Sequence, residues 1–262
     1  MSTPLTPPPY PPPHALLVGK NVLITAAAGT GIGFATAKRC LEEGARVFAS
    51  DSHERRLNES LERLRGLGAG QVAGQVCDVT REAEVRALVS AAIAGMGRVD
   101  VLVNNAGLGG SVAIVDMTDE QWHKVLDVSL TSVFRMTRAL LPHLYKNRSG
   151  AIVNNASVLG WRAQALQAHY AAAKAGVMAF TRSAAIEAAA HGVRVNAVAP
   201  SLAMHEFLNR TTSDELLAEL RRREAFGRAA ETWEVANVIV FLASDLSSYM
   251  TGEVISVSSQ RA

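Results

Sequence analysis

The chain of 262 residues reads as an α/β protein built on one doubly wound, seven-stranded parallel sheet with helices on both faces. Three observations predict that class. Short apolar runs of strand length recur along the chain, and a stretch with helical character separates each from the next. The runs are near-continuous in Val, Ile, Leu and Ala, which fits strands buried on both faces. A glycine-rich turn, Gly29-Thr30-Gly31-Ile32-Gly33, stands between the first run and a helical segment, the arrangement that brings backbone amides close to a bound anion.

The strand candidates are residues 21–25, 45–50, 71–77, 99–103, 151–156, 193–198 and 253–257. The first is β-rich and runs into the turn, after which Phe34 to Leu41 reads as helix. The second ends in Asp51, about 20 residues beyond the turn. Cys77-Asp78-Val79 closes the third, and Asn104-Asn105-Ala106-Gly107 follows the fourth. Thr118 with Gln121 forms a capping box ahead of the apolar stripe of Trp122, Val125 and Leu126. The fifth strand leads to Ser157, and the next helix starts near His169 and stops at Gly192. Pro200 and Ser201 follow the sixth. Seven of the nine prolines fall between Pro4 and Pro13, so residues 1–14 are expected to form an extended, poorly ordered arm ahead of a single domain, 15–262.

Composition bounds the function. With 48% hydrophobic and 19% charged residues the chain can bury one large core and has no room for a substantial second one. A net charge of +2 demands neither nucleic acid nor an acidic membrane, and Arg221-Arg222-Arg223 reads as the wet face of a helix. No run approaches the roughly 18 apolar residues of a membrane span. Cys40 and Cys77 lack metal-ligand spacing, so no metal is expected and the thiols suit a reducing cytosol. The first residues lack a charged and apolar leader, so the expected compartment is the cytoplasm.

Tyr170-Ala-Ala-Ala-Lys174, thirteen residues after Ser157, carries the chemistry. On a helix the phenol and the ammonium lie side by side. A nearby cation favours the phenolate and brings an ordinarily weak acid, with a pKa of about 10, toward general acid/base use. Ser157, at a strand end, would meet a substrate carbonyl beside the phenol. Gly29, Gly31 and Gly33 would cradle a pyrophosphate, and Asp51 would accept the ribose hydroxyls of NAD while repelling a 2′-phosphate. Ser52 follows Asp51 and Thr30 adds no positive charge in the turn, so NAD is expected before NADP. Arg55 and Arg56 read as the solvated first turn of the next helix. Gly31, Asp51, Asn104, Ser157 and Pro200 all follow strand ends, where ligands bind in doubly wound sheets.

With Phe241-Leu-Ala-Ser-Asp245 and Thr251-Gly252 near the end, these motifs stand in one order. From about Gly19 onward the chain resembles the short, non-extended branch of the short-chain dehydrogenase/reductase family. The resemblance implies a Rossmann domain that moves hydride reversibly between a nicotinamide and a secondary alcohol or its ketone. Ser157 would orient the oxygen, Tyr170 would move the proton, and Lys174 would lower the phenol's pKa and hold the nicotinamide ribose. It also implies cofactor contacts at Thr30 and Ile32 within the turn, at Asp78 and Val79, at Asn105, Ala106 and Gly107, and at Pro200. Residues 201–226 stand where the family places a mobile lid, whose Met204, Phe207 and Leu208 imply an apolar or bulky substrate. Arg210 and later arginines would attract phosphates such as those of a CoA thioester. The turn, the Pro-Ser loop and His-x-Phe resemble an actinobacterial subgroup acting on acyl-CoA or steroid-derived intermediates. The family also implies a homo-oligomer, dimer or tetramer, formed by the helices around Trp122 to Leu141 and Tyr170 to Ala190.

The sequence departs from the family pattern in three places. Counting back from Gly33 puts Ala26 and Ala27 where Thr-Gly is usual, which implies a locally altered loop with a methyl crowding the pyrophosphate. Ser129 replaces an asparagine that holds a water in a proton relay, and is expected to hold that water with a shorter reach. Ser201 and His205 stand in place of the usual glycine and threonine after the sixth strand, and both are expected to face the cofactor. These changes motivate an alternative, a nucleotide-binding homologue without catalysis that serves a regulatory or scaffolding role. A sugar-nucleotide epimerase of the extended branch would need a larger substrate domain than 262 residues supply.

Overall fold

In a computed structural model of the chain, the described residues are 5–205, 208 and 214–260. Seven strands form one sheet, all paired in parallel. They are β1 (Asn21–Ile24), β2 (Arg46–Asp51), β3 (Val72–Val76), β4 (Val101–Asn104), β5 (Gly150–Asn155), β6 (Val193–Pro200) and β9 (Val254–Val257). Between the last two lie β7 (Ala203–Met204) and β8 (Ala230–Glu231), which pair only with each other. The helices are α1 (Ile32–Glu42), α2 (Glu54–Arg65), α3 (Glu82–Met96), α4 (Asp119–Leu126), α5 (Ser132–Asn147), α6 (Ala168–Ala189), α7 (Asp214–Arg223) and α8 (Thr232–Ala243).

The sheet order β3-β2-β1-β4-β5-β6-β9 explains why the central strands are largely apolar. Val22 and Ile24 of β1 pack on one face with Leu41, Leu57 and Ile239. Leu23, between them, packs on the other face with Leu88, Met136 and Leu140. Period-2 side chains feed two cores, each fully buried aliphatic contributing about 1.5–3 kcal/mol. Strand order reverses between β1 and β4, which opens a crevice beyond their carboxyl ends. A buried polar ladder crosses the sheet beside it: Asn104 Nδ2 donates to Asn154 Oδ1 at 2.9 Å, and Asn154 Nδ2 donates to Thr181 Oγ1 at 2.9 Å. The Thr118 capping box forms as the sequence predicts.

Residues 5–14, expected to extend away from the fold, lie against α1 and α8. Arg39 donates to the carbonyls of Pro11 and Pro12 at 2.8 and 3.0 Å, and Tyr10 packs edge-on against Trp233. The buried Glu43 carboxylate accepts from the amides of His14 and Leu16 and pairs with Arg39 at 2.6 Å. Proline stiffness lowers the entropy lost when such a segment docks, and these partners are too distant in sequence for local composition to reveal. Within 201–226, where no strand signal was visible, β7 is two residues long, too short for any periodicity.

Candidate active site

The turn after β1 is anchored at its first step. Thr25 Oγ1 accepts from the amides of Asn105 and Ala106 at 3.0 and 3.1 Å, tying the end of β1 to the segment after β4. Ala26 follows with φ +49°, a left-handed conformation that usually favours glycine. The Ala27 methyl is fully buried in the core cluster under α1 and α8, so the expected crowding does not arise. Counting back from Gly33 had misplaced the start of the loop by one residue: Thr25, not Ala26, makes the anchor.

Gly33 is required by close approach. A Cβ there would stand 2.2 Å from Ala26 O and 2.4 Å from Asn105 Nδ2. At Gly29 (φ +85°) and Gly31 an added Cβ would meet nothing within 4 Å, so the turn's outer surface is open. Gly31 caps α1 without any side-chain cap bond, and no acidic residue occupies the first turn. An uncapped helix start with an open glycine surface fits an anionic pyrophosphate. The Gly29 amide donates to Ser60 Oγ at 3.0 Å, and Arg63 donates to Gly29 O at 3.1 Å, so α2 supports the turn from behind. Ile32 and Thr30 complete the turn at the mouth of the crevice.

Asp51 ends β2 with its carboxylate buried. Oδ1 accepts from the His53 amide and from Arg56 Nη2, both at 3.0 Å. Arg56, expected in solvent, is thus the ion-pair partner of Asp51, because the first turn of α2 folds back over the strand end. Arg55 does face outward, toward Glu59. Asp78 Oδ1 accepts from the Thr80 amide and hydroxyl at 2.9 and 2.7 Å, and Val79 beside it is buried.

Three elements bring Ser157, Tyr170 and Lys174 together. Ser157 follows β5, its Oγ accepting from the Leu159 amide at 3.2 Å. Tyr170 lies in the first turn of α6, with its phenol close enough to Ser157 for the serine to oppose the rise in its pKa. Lys174, one turn on, is buried; its Nζ donates to Asn155 O at 2.6 Å and stands 5.5 Å from the centroid of the Tyr170 ring. Burial raises the phenol above its ordinary value of 10, Ser157 opposing it. Burial thus acts against the lowering expected from Lys174. Burial brings Lys174 itself down from 10.5 to about 8. Gly107 keeps this corner open, since a Cβ there would lie 3.3 Å from Lys174 Nζ. A hydroxyl pair that meets a carbonyl oxygen, with a cation behind it, can polarise C=O and deliver or accept a proton.

Ser129 lies in a π-helical turn, Asp127–Thr131, between α4 and α5. Its Oγ donates to Leu108 O and accepts from Leu108 N, both at 2.9 Å. Its one proton goes to the loop after β4, which it clamps, and one acceptor lone pair remains for the expected water. Pro200 ends β6, and the Ser201 amide donates to Val257 O at 3.2 Å. His205 Nδ1 accepts from the Leu208 amide at 3.3 Å, and burial lowers the ring's pKa below 6.5. It lies directly after β7. Phe207 and Arg210 lie outside the described residues. Sequence reasoning passed over Thr25, Ser60 and Asn155. Only Asn155 carried a signal, a second amide ending an apolar strand.

A doubly wound sheet with an anion-ready turn and a Ser-Tyr-Lys cluster defines a dinucleotide-dependent oxidoreductase class, and similarity to known proteins narrows it. The family model described as enoyl-(acyl carrier protein) reductase matches residues 26–259. The (5R,7aS)-5-hydroxy-7a-methyl-1-oxo-2,3,5,6,7,7a-hexahydro-1H-indene-carboxyl-CoA reductase of Mycobacterium tuberculosis is 65% identical over 248 residues, 94% of this chain and 95% of that protein. A 3-oxoacyl-[acyl-carrier-protein] reductase of Thermotoga maritima is 42% identical, over 92% of this chain and 97% of that protein. The crystal structure of a short chain dehydrogenase from Mycobacterium smegmatis superposes with a TM-score of 0.87 at 59% identity, covering 97% of this chain and 98% of the other. The chain belongs to the short-chain dehydrogenase/reductase family. It is an oxidoreductase of hydroxyl and keto groups that works with a nicotinamide dinucleotide, and nothing among these relatives favours an inactive, scaffolding role. Among the described residues no helix is long and apolar enough to cross a membrane, and no cluster of ligands could hold a metal ion.

Proposed function

We propose that the protein interconverts a secondary alcohol and a ketone on a bulky, apolar body carried as a CoA thioester, with NAD(H) as cofactor. The observation that carries the reading is the gathering of Ser157 and Tyr170 beside a buried Lys174 one helical turn away. Ser157 orients the substrate oxygen, Tyr170 moves the proton, and Lys174 holds the nicotinamide ribose. When bound, the nicotinamide supplies or accepts the hydride. Gly29, Thr30, Gly31, Ile32 and Gly33 are assigned to the pyrophosphate, Asp51 to the adenine ribose, and Asp78 with Val79 to the adenine. Asn105, Ala106 and Gly107 are assigned to the floor of the crevice, and Pro200, Ser201 and His205 to the nicotinamide end. Residues 15–262 are read as one catalytic domain, with 201–226 as its lid.

The substrate class is supported by the Mycobacterium tuberculosis relative, which is named for a bicyclic CoA ester. It is also supported by the apolar lid, where Leu202, Leu217 and Ala229 pack with Met204 and Leu208. The test is a spectrophotometric assay with NADH on keto-bearing bicyclic CoA thioesters beside short 3-oxoacyl thioesters. Turnover on the short thioesters alone would remove the bulky body from the proposal.

NAD is favoured over NADP by the buried Asp51 carboxylate, which a 2′-phosphate would face with Arg56 as the only neutralising partner described for it. Replacing Asp51 by Ala is expected to reduce the NAD/NADP preference in kcat/KM by about tenfold or more, the size of one lost charge-assisted contact. An unchanged ratio would refute the assignment. A homo-oligomer is proposed through α5 and α6, whose Phe134 and Ile186 are 41% and 79% exposed. Light scattering is expected to give a dimer or tetramer, and the mass of one chain would overturn it. A cytoplasmic setting is proposed from Cys40 and Cys77, both free, buried and held protonated by burial, which lifts each thiol to about 12.

A further inference from the structure

We infer that Asn155 is a positioning residue that couples the dinucleotide-binding turn to Lys174. The inference rests on the reading of Lys174 as the lysine of the reaction centre. One residue at the end of β5 makes both connections. Its backbone carbonyl accepts from Lys174 Nζ at 2.6 Å. Its side-chain Nδ2 donates to Asn105 Oδ1 at 2.9 Å, and Asn105 Nδ2 donates in turn to Ala26 O at 2.9 Å. Ala26 is the left-handed residue that opens the glycine turn. Two amides therefore join the reaction centre to the start of the phosphate cradle, across β5, β4 and β1.

The joint is closely packed. A Cβ on Gly33, in the first turn of α1, would stand 2.4 Å from Asn105 Nδ2 and 2.2 Å from Ala26 O, so the helix start packs closely against this bridge. A displacement at one end of the bridge is thus felt at the other. The side chain is also a poor choice for stability alone. Asn155 Oδ1 is buried and makes no hydrogen bond among the described residues, and asparagine has a low strand propensity. A buried acceptor left without a partner is disfavoured. An aliphatic residue would fit the strand end as well and lose only the link to Asn105. What the amide adds is alignment, and rates respond steeply to misplacement of about 1 Å.

The test uses the full-length protein with Asn155→Leu, Asn105→Ala and the double variant. Dinucleotide affinity is read by fluorescence titration, and kcat and substrate KM are read across pH. Asn155→Leu is expected to weaken dinucleotide binding and lower kcat by about five- to tenfold each, the size of one lost hydrogen bond. Substrate KM should stay within about twofold. The double variant should be no worse than the weaker single one, as expected of residues acting in one chain of contacts. The pH at which kcat declines on the alkaline side should also move, because the carbonyl that holds Lys174 is no longer fixed by the side-chain bond to Asn105. If Asn155→Leu does not fold, Asn155→Ser, which lacks the reach to Asn105, is expected to give the same pattern. Unchanged affinity and kcat, or fully additive losses in the double variant, would overturn the inference alone. Wild-type protein that binds no dinucleotide would overturn both this inference and the reading beneath it.

Discussion

Tyr170→Phe is expected to lower kcat by about 10³–10⁴-fold, the share that a positioned acid/base commonly supplies, while dinucleotide affinity changes by less than about threefold. The substitution removes one oxygen, and the ring keeps its place in the first turn of α6. Ser157 keeps its bond from the Leu159 amide, so the strand end is not released. The affected group is the phenol beside Ser157. Burial holds its proton above the ordinary range, so through neutral pH Tyr170 stands as an acid ready to protonate a developing alkoxide. Ketone reduction should therefore be insensitive to pH up to the range where Lys174 loses its charge, near 8. Alcohol oxidation, which needs the proton gone, should rise with pH over the same range. Stopped-flow turnover beside a binding titration separates the two terms. Equal turnover in the two proteins would end the proposed role of Tyr170.

How far the sequence revealed this arrangement depends on the range of the forces involved. The strands were legible because the central ones are buried on both faces, which leaves largely apolar runs. The Thr118 cap was legible because all its partners lie within four residues. Ser157, Tyr170 and Lys174 could be read from spacing, since one helical turn relates two of them. The anchoring of the turn could not. Thr25 is recognised by the bonds it accepts some 80 residues away, whereas counting from Gly33 assumes a loop of standard length. The bonds of Ser129 in both directions to Leu108 tie it to a loop some 20 residues away, which local spacing does not reveal. The docking of the proline-rich arm depends on Trp233, at the other end of the chain. Arg56 was read as a solvated charge because the fold-back of α2 over Asp51 is a tertiary event. Contacts within a turn or a strand leave a periodic trace, and contacts between distant loops leave none.

Lys174→Met is expected to abolish turnover and, at the same time, to raise thermal stability. In the folded chain burial holds the ammonium down to about 8, against 10.5 in the ordinary state. Each pK unit corresponds to about 1.4 kcal/mol, so keeping the charge buried at neutral pH costs on the order of 3 kcal/mol. Methionine removes that cost and packs apolar volume of similar length. Against this stands the Asn155 carbonyl, which loses its lysine donor and contributes a penalty of about 1–2 kcal/mol. The difference favours the variant by about 1 kcal/mol or more, a rise of roughly 2–4 °C in Tm for a chain of this size. Between about 8 and 10.5 the unfolded chain binds more protons at this site than the folded one, so wild-type stability should climb with pH across that window. Below it both states are charged and the penalty is full. The variant should lack that climb, which differential scanning calorimetry at several pH values would detect. A lower Tm in Lys174→Met at neutral pH would mean that the ammonium stabilises the fold. In that case the lysine would be a structural tie between α6 and β5, and its electrostatic cost could not be read as the consequence of a function.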